Sequence, residues 1–302
     1  MKNSFPAPIA LFVYNRLDHL KECIKSLKKN KLCKKSDLII FSDGYKGNIQ
    51  NKTEVEKIRK YVKNLIGFKS IKIHEREKNL GLAKSIVKGL NYIFKNYSKV
   101  IVLEDDLVVS SKFLEFMNTN LQNYQENRKV ISIHGYCYPI NFQKKSERFF
   151  FLRGADCWGW ATWKRGWKLY QNDANKLLKS IKSNRLKKQF NFNNSYPYFE
   201  MLEHASKTNH SWAIKWYASA FIKNKLTLYP KLSYVRNIGN DGSGTNTKKL
   251  SDFFTKKINV NSKFPKIEVK ENNENRIAFE NFFRKIYKKP FIIKRILHLF
   301  NK

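Results

Sequence analysis

The sequence predicts an α/β fold in which helices pack on both faces of a mostly parallel central sheet. Two observations lead to this prediction. Within residues 1–135, four short apolar stretches alternate with segments whose apolar residues recur at helical spacing. Polar residues directly follow three of these four stretches. Alternation of strand and helix implies right-handed crossovers between parallel strands, so these polar residues are expected at one edge of the sheet.

The strands are predicted from runs rich in β-branched residues, most of which indicate burial on both faces. Between them, Asp18 is a candidate N-cap for the first helix, and Thr53–Glu56 forms a capping box for the second. A third helix is predicted from about Leu82 to Tyr97. The predicted strands are Ile9–Tyr14, Leu38–Phe41, Ser70–His74 and Lys99–Leu103.

The fourth strand ends in Glu104, Asp105 and Asp106, in a chain with only 24 acidic residues against 60 Lys and Arg. Ligands of open α/β sheets bind at the carboxyl ends of strands, and a divalent cation would balance these carboxylates. The alternative is the acidic start of a helix. Asn15–Arg16 and Asp43–Gly44 end the first two strands and are expected beside the acidic residues. No GxGxxG or GxxxxGK[ST] pattern follows a strand, which argues against a dinucleotide-binding domain and a P-loop NTPase.

The pattern changes after residue 135. Four of the six tryptophans fall within residues 158–167, where clustering with Gly and Asp predicts a loop that walls a binding cleft; core packing is the alternative. Beyond Lys248 the chain is expected to be a charged tail, which ends in cations interleaved with aromatic and aliphatic residues. The other predicted elements are strands at Phe149–Leu152 and Leu226–Tyr229 and a helix at Ser211–Ile222.

Composition indicates a folded protein with a polyanionic partner. A hydrophobic content of 42% and an aromatic content of 15% argue against disorder. The net charge of +36 indicates nucleic acid, an anionic membrane surface or phosphorylated substrates, unless it reflects genomic composition. The four cysteines lack CxxC spacing, so neither zinc nor a disulfide framework is expected. No apolar stretch approaches the roughly 18 residues of a membrane span, so we expect a soluble or surface-attached protein.

Several motifs resemble those of glycosyltransferases of the GT-A fold. The Glu-Asp-Asp sequence is similar to the DxD element of that fold. The motifs are most similar to the N-acetylglucosaminyltransferase I type and to bacterial family 2-like sugar transferases. The resemblance covers roughly residues 7–247 and is specific for the fold and the reaction class but not for the sugar. It rests on Pro8–Arg16, Ser42–Gly44, Asn79–Gly81, Val100–Asp106, Cys157–Trp163, Ser211–Trp216 and Asn237–Gly244.

The resemblance implies a nucleotide-sugar-binding half in residues 1–135, an acceptor-binding and catalytic half in 136–247, and a basic, aromatic-rich tail in 248–302. Asp106 would be the direct ligand of Mn²⁺ or Mg²⁺, which would stabilise the charge that develops on the leaving diphosphate. Asp105 would contact the ribose or the metal through water, and Glu104 the base and ribose. The other expected donor-site residues are Asn15, Arg16 and Asp43 on the nucleoside, Lys84 on the diphosphate, and Trp158 and Trp160 as the aromatic wall.

Inversion at the anomeric carbon requires a general base for the acceptor hydroxyl. Related enzymes supply a carboxylate near the position of Trp212, where this chain has Asn209, His210 and Ser211 instead. The remaining candidates are His210, Asp156 and Asp241, and retention of configuration stays open as the alternative. Residues 237–245 are rich in glycine, and they are expected either to close over the donor or to form an ordinary connection.

The sequence therefore predicts a metal-dependent glycosyltransferase that moves a hexose or N-acetylhexosamine from a nucleoside diphosphate to a glycan. The expected donor is a UDP-sugar. The expected pathway is assembly of a surface polysaccharide or lipooligosaccharide on a lipid-linked acceptor at the cytoplasmic face of a membrane. The basic tail is expected either to bind an anionic bilayer or to be solvated. The alternatives are a nucleic-acid-binding protein, for which no motif exists, and a GT-A homologue that binds sugar nucleotides without turnover.

Overall fold

The computed structural model describes residues 6–143, 147–208, 211–239, 241 and 258–299. It confirms the α/β prediction: an eight-stranded sheet in the order β3-β2-β1-β4-β8-β6-β9-β7 carries helices on both faces. The first half contributes four mutually parallel strands. These are β1 (Ile9–Val13), β2 (Asp37–Ser42), β3 (Ser70–Glu75) and β4 (Lys99–Glu104), and the helices between them are α1 (Leu17–Lys28), α2 (Ile49–Lys63) and α3 (Leu82–Asn96).

The second half completes the sheet with both antiparallel and parallel contacts. Strand β8 (Trp160–Trp163) runs antiparallel to both β4 and β6 (Val130–His134), and β9 (Leu226–Pro230) pairs parallel with β6 and antiparallel with β7 (Phe149–Arg153). A separate two-stranded sheet joins β5 (Leu107–Val109) to β10 (Val235–Asn237). The remaining helices are α4 (Phe113–Asn123), α5 (Lys164–Trp167), α6 (Ala174–Ser183), α7 (Lys187–Phe190), α8 (Tyr198–Thr208), α9 (Ala213–Ile222) and α10 (Asn273–Leu299).

Both faces of the parallel strands are buried, which explains their uninterrupted apolar sequences. In β1, Ile9 and Leu11 join a core with α1 and α4, whereas Ala10 and Phe12 face a second core that contains α3 and α9. Successive side chains of a strand point to opposite faces, so a strand between two helical layers needs apolar residues at every position. A third core in the second half joins β7 and β9 to α6, α7, α8 and α10.

Three local expectations differ from the structure. Helix α1 begins at Leu17, so Asp18 lies within its first turn and is not the N-cap. Helix α2 begins at Ile49, where the Asn48 side chain caps it by accepting a hydrogen bond from the Asn51 N–H at 2.8 Å. The predicted capping box is therefore wrong, because Thr53 lies within the helix and its hydroxyl donates to the Ile49 carbonyl at 3.1 Å. The acidic residues after β4 lead into strand β5 instead of a helix, so the helix-start alternative is wrong as well.

Part of the predicted tail packs against the body of the protein. In helix α10, Phe279 and Phe283 are buried in the third core, and Phe282 and Ile286 are partly buried beside them. Upstream, Phe264 and Ile267 pack against the core that contains α4. Long-range aromatic packing of this kind leaves no periodic signal in a short window of sequence. Among the described helices, none is long and apolar enough to cross a lipid bilayer.

Candidate functional site

The turn between β4 and β5 brings carboxylates to the carboxyl edge of the sheet, next to the end of β1. Nη2 of Arg16 lies 2.5 Å from Oδ1 of Asp105 and 2.9 Å from Oδ2 of Asp106. The Tyr14 backbone N–H donates to Oδ2 of Asp105 at 3.4 Å. Strands β1 and β4 are parallel neighbours, so they end side by side and bring these groups together. We call Arg16, Glu104, Asp105 and Asp106 the acidic corner.

Burial sets the charge state of the acidic corner. It is the main reason why the pKa of Glu104 is raised to about 8 and that of Asp105 to about 6. The negative charge of Asp106 raises both pKa values further, and the Arg16 guanidinium opposes the shifts. One guanidinium beside three carboxylates leaves an excess of negative potential. A second cation at this position would therefore favour the ionised carboxylates.

The donor atoms of the acidic corner fit a hard divalent cation. Mg²⁺ prefers oxygen ligands and is usually held by one or two carboxylates together with substrate phosphates and water. The side chain of Asp106 is 14% exposed, against 5% for Asp105, so Asp106 is the more accessible aspartate. In the described part of the chain, no group of three or more His, Cys, Asp or Glu side chains forms a complete metal cage. The acidic corner could therefore supply only part of the ligand set of such an ion.

Asp43 is buried at the end of β2, and its carboxylate binds backbone groups. Oδ1 accepts hydrogen bonds from the N–H groups of Gly44 at 3.0 Å and Leu80 at 2.9 Å. Oδ2 accepts the Gly81 N–H at 2.9 Å. Gly81 precedes α3 with φ +74°, a conformation that favours glycine. These hydrogen bonds show that Asp43 holds the loop that leads into α3. Its predicted contact with the nucleoside stays a prediction.

Asn15 and Lys84, which were also predicted to bind the donor, have no described contact with the carboxylates of the acidic corner. Nδ2 of Asn15 donates to Oε2 of Glu54 at 3.4 Å, on the side of helix α2. The Tyr14 hydroxyl donates to Oδ1 of Asn51 on the same helix at 2.7 Å. Lys84 is exposed in the first turn of α3.

The segment after β10 covers the acidic corner. The Ile238 N–H donates to the Asp106 carbonyl at 2.9 Å. A Cβ atom on Gly239 would lie 2.3 Å from Oδ2 of Asp106 and 2.9 Å from Nη1 of Arg16, so only glycine fits here without a shift. His19 Nε2 lies 3.2 Å from Oδ2 of Asp241, whose side chain is 49% exposed. The rest of the glycine-rich segment, residues 240 and 242–245, lies outside the described residues.

Asp156 lies between β7 and β8, next to the end of β6. Its Oδ1 accepts a hydrogen bond from the Cys157 backbone N–H at 2.8 Å and lies 3.9 Å from Nε2 of His134. That imidazole nitrogen accepts the Trp158 N–H at 3.1 Å. Burial lowers the pKa of His134, which favours the neutral ring. A carboxylate that is 19% exposed therefore stands beside an uncharged imidazole.

The charge of Asp156 acts on four tyrosines. Each has a raised pKa because of burial in the first place, and the negative charge of Asp156 raises it further. The Cys157 thiol connects this region to the acidic corner: burial raises its pKa, and the charges of Asp156, Glu104 and Asp106 add to the effect. The two regions are therefore within electrostatic reach of one side chain. We call Asp156 with Tyr138, Tyr196, Tyr198 and Tyr229 the tyrosine pocket.

The two tryptophans of the predicted wall have different environments. Trp158 is partly buried, and its ring centroid lies 4.8 Å from that of Tyr136 and 6.4 Å from that of Tyr138. Trp160 is fully buried, with ring centroids of Trp212 and Trp216 at 5.6 and 5.5 Å. The prediction that Trp160 contacts a ligand is therefore wrong, because the ring is enclosed by other indoles. We call Trp160, Trp167, Trp212 and Trp216 the tryptophan cluster.

The structure describes two of the three candidates for the general base. Asp156 lies in the tyrosine pocket, and Asp241 lies 3.2 Å from Nε2 of His19. His210 lies outside the described residues. Sequence reasoning did not identify the tyrosines or the role of Gly239. The four tyrosines come from three separated segments, so no motif joins them, whereas Gly239 was marked only by the richness of its segment in glycine.

Comparison with solved structures gives distant matches. The mannosyltransferase PcManGT from Pyrobaculum calidifontis, in complex with GDP-Man and Mn²⁺, is 12% identical; the match covers 46% of this chain and 38% of that protein, with a TM-score of 0.31. TarS 1-349 from S. aureus, in complex with UDP-GlcNAc, is 14% identical over 76% of this chain and 57% of that one, with a TM-score of 0.41. The structure of TarS 1-349 without the ligand is 15% identical over 76% of this chain and 59% of that one, with a TM-score of 0.38.

These matches span between 38% and 59% of the lengths of the solved proteins. A comparison with curated proteins finds no match. The family model described as glycosyl transferase family 2 matches residues 9–187, which is more than half of the chain. The matched region contains the four parallel strands, the acidic corner and Asp156. It confirms the resemblance on which the prediction rests, and the chain belongs to glycosyl transferase family 2.

Proposed function

We propose that the protein transfers a hexose or N-acetylhexosamine from a nucleoside-diphosphate sugar to a glycan acceptor, and that the donor is a UDP-sugar. The single observation that carries this proposal is the acidic corner. Two aspartates at the carboxyl end of β4 share one arginine, and the segment after β10 leaves room above them only for a glycine. An accessible Asp106 next to buried acidic neighbours supports a site for a divalent ion and the diphosphate that it accompanies.

Asp106 would hold Mn²⁺ or Mg²⁺, with Asp105 on the ribose or on the ion through water. When bound, such an ion supplies positive charge to the leaving diphosphate. Arg16 orients both aspartates, and we infer that its guanidinium also faces the phosphates, since Nη2 already lies between the two carboxylates. Lys84 in the first turn of α3 would meet the diphosphate from the opposite side. Asn15 and Glu104 would contact the nucleoside, which Asp43 supports indirectly by holding the loop before α3.

Asp156 is the general base that we propose. The acceptor oxygen forms a bond to the anomeric carbon as the bond from that carbon to the diphosphate oxygen breaks, and the hydroxyl proton passes to the Asp156 carboxylate. This arrangement inverts the configuration at the anomeric carbon. Asp156 is supported by its place in the tyrosine pocket, where it acts on the same Cys157 thiol as the charges of the acidic corner, and the aromatic faces of the pocket could stack on the acceptor sugar. Trp158 would add a further face to this wall.

The test uses a panel of UDP- and GDP-sugars with Mn²⁺ or Mg²⁺ and measures release of the nucleoside diphosphate. We expect metal-dependent release from at least one UDP-sugar. Asp156→Asn should lower the rate by about 10²–10⁴-fold, the usual contribution of a general base, with unchanged donor affinity. His210→Asn is the matched comparison and should retain the rate. The assignment of Asp156 is contradicted if the rate falls only in the His210 variant.

Two other outcomes would replace the proposal. Donor binding without release of diphosphate from any sugar nucleotide would identify a non-catalytic homologue. Retention on DNA or RNA without donor binding would favour a nucleic-acid-binding protein, which is the alternative that the net charge of +36 suggests. The acidic corner argues against this alternative, because its carboxylates repel phosphates unless a cation is bound.

We propose further that the acceptor is a lipid-linked surface saccharide and that the protein acts at the cytoplasmic face of a membrane. The support is the sequence of the last 15 residues, in which Lys and Arg alternate with Phe, Ile and Leu. Co-sedimentation with vesicles of phosphatidylglycerol should exceed that with phosphatidylcholine. Replacement of Lys288, Lys289, Lys294 and Arg295 by Gln should abolish the difference, and an unchanged difference would contradict this part.

A further inference from the structure

His134 is the last residue of β6 and lies at the same edge of the sheet as the acidic corner. Strands β4 and β6 both run antiparallel to β8, so they run parallel to each other. Trp160, at the start of β8, pairs with Val102 of β4 on one side and with His134 on the other. The turn that leads into β8 therefore reaches this edge next to His134. We call residues 156–159 the Asp156 turn.

Two hydrogen bonds tie the Asp156 turn to the end of β6. Nε2 of His134 accepts the Trp158 N–H at 3.1 Å. The Gly135 N–H donates to the Gly159 carbonyl at 2.7 Å, and this second bond joins backbone groups only. Loss of the imidazole is therefore expected to free the Trp158 peptide, while the turn stays attached to β6 at Gly159.

The imidazole of His134 acts as a hydrogen-bond acceptor. A backbone N–H donates only to a nitrogen with a lone pair, so Nε2 carries no proton and the neutral ring has its proton on Nδ1. Burial lowers the pKa of His134, which favours this neutral ring. The residue is fully buried, and its ring centroid lies 5.0 Å from that of Tyr229. His134 is therefore out of reach of an acceptor sugar and is not itself the base.

The peptide that His134 holds adjoins the one that orients Asp156. Oδ1 of Asp156 accepts the Cys157 N–H at 2.8 Å. The N–H groups of Cys157 and Trp158 belong to consecutive planar peptides, so only the two backbone dihedral angles of Cys157 separate them. Nε2 of His134 lies 3.9 Å from Oδ1 of Asp156, which is beyond hydrogen-bond distance. The imidazole therefore acts on the carboxylate through the backbone of the turn.

We propose that His134 is a positioning residue for the general base: by accepting the Trp158 N–H, it holds the Asp156 turn in the conformation that directs the carboxylate at the acceptor hydroxyl. This inference rests on the proposed function, in which Asp156 takes the hydroxyl proton. A displacement of about 1 Å at a reacting group can cost about 10²-fold in rate. Loss of the acceptor at Nε2 should therefore lower kcat and leave KM for the donor unchanged.

Two substitutions of His134 separate the hydrogen-bond acceptor from the volume of the ring. His134→Gln offers the amide Oε1 to the Trp158 N–H, whereas His134→Leu fills the space without an acceptor. His74→Leu is the matched control. His74 lies one residue before the end of the parallel strand β3, and its Nε2 has no hydrogen-bond partner among the described residues.

The first measurement is the hydrogen-exchange rate of the Trp158 backbone N–H, followed by NMR in protein labelled with ¹⁵N-tryptophan. Because His134→Leu removes the acceptor of this N–H, we expect exchange about tenfold faster than in the wild type. His134→Gln and His74→Leu should stay close to the wild-type rate. Equal exchange rates in His134→Leu and the wild type would overturn the inference.

The second measurement is a kinetic cycle with Asp156→Asn, which follows release of UDP from the UDP-sugar that the wild type cleaves fastest. His134→Leu should lower kcat about 100-fold with unchanged KM, and His134→Gln should recover most of this loss. In the Asp156→Asn background, His134→Leu should have little further effect, because residues that act as a unit are not additive. A structural defect would instead lower the rate equally in both backgrounds, and that result would overturn the inference.

Failure of the proposed function gives a different result. If the wild type releases no nucleoside diphosphate, or if Asp156→Asn keeps the wild-type rate, the assignment of the base is wrong and the role of His134 falls with it. If Asp156→Asn lowers the rate and His134→Leu does not, the proposed function stands and His134 is not a positioning residue.

Discussion

The two halves of the protein build their parts of the site in different ways. The acidic corner consists of charged side chains that directly follow β1 and β4, and burial works against it by raising the pKa values of Glu104 and Asp105. The tyrosine pocket and the tryptophan cluster consist of rings that come from distant segments and pack with one another. The first half therefore places charged groups at the edge of the sheet at a cost in stability, whereas the second half places packed rings around one carboxylate.

The largest effect on stability is expected in the tryptophan cluster. Trp160→Ala removes a fully buried ring that packs on Trp212 and Trp216. We expect the free energy of unfolding to fall by about 3–5 kcal/mol, as is usual for such truncations, measured by urea denaturation. Trp160→Phe is the control and should cost much less, because Nε1 of Trp160 has no hydrogen-bond partner among the described residues. A loss below about 1 kcal/mol in the alanine variant would contradict the division between the halves.

A smaller effect is expected above the acidic corner. In Gly239→Ala the new methyl group would lie 2.3 Å from Oδ2 of Asp106, so the aspartate or the segment must move. We expect donor affinity with Mn²⁺ to fall about tenfold, roughly 1.4 kcal/mol, with little change in stability. Ile66→Ala is the control, since Ile66 is 76% exposed and precedes β3 at the opposite end of the strands. Equal donor affinity in the Gly239 variant and the wild type would show that Gly239 does not shape this site.

The smallest effect concerns the dependence of stability on pH. The pKa of Glu104 is about 8 and that of Asp105 about 6 in the folded protein, above their ordinary values. The fold therefore favours the protonated carboxyls, and their contribution is present at low pH and lost as the pH rises through 6 and 8. Without metal, Glu104→Gln should raise Tm by a few degrees at pH 8 relative to the wild type and leave it unchanged at pH 5.

Calorimetry at both pH values, in a buffer that contains a chelator, measures this difference. The variant isolates Glu104 from His134, whose lowered pKa has the opposite consequence: its contribution to stability is lost as the pH falls below about 6.5. Mn²⁺ should raise the Tm of the wild type more at pH 8 than at pH 5, because metal ligands must be deprotonated. Identical pH profiles of the variant and the wild type would show that Glu104 is not held in its protonated form.

The fold of the first half could be predicted from the sequence because its signals are local. Strands that are buried on both faces have continuous apolar runs, and the acidic residues directly follow one of them. The second half could be predicted only in part. Trp160 lies in a strand that is enclosed by α9, and Tyr138 meets Phe282 across more than a hundred residues of sequence. Contacts of this range leave no spacing pattern, so the sequence favours a binding wall for the loop that contains Trp160, whereas the structure shows the alternative, core packing, for this residue.

Calorimetric titration of the donor tests most directly whether the acidic corner anchors a metal and a diphosphate. The wild type, Asp106→Ala and the control Asp18→Ala, whose side chain is 93% exposed, are titrated with UDP-sugar in the presence and absence of Mn²⁺. We expect Mn²⁺-dependent binding in the wild type and the control, and its loss in Asp106→Ala at unchanged Tm. Undiminished UDP-sugar affinity of Asp106→Ala with Mn²⁺ present would contradict the account.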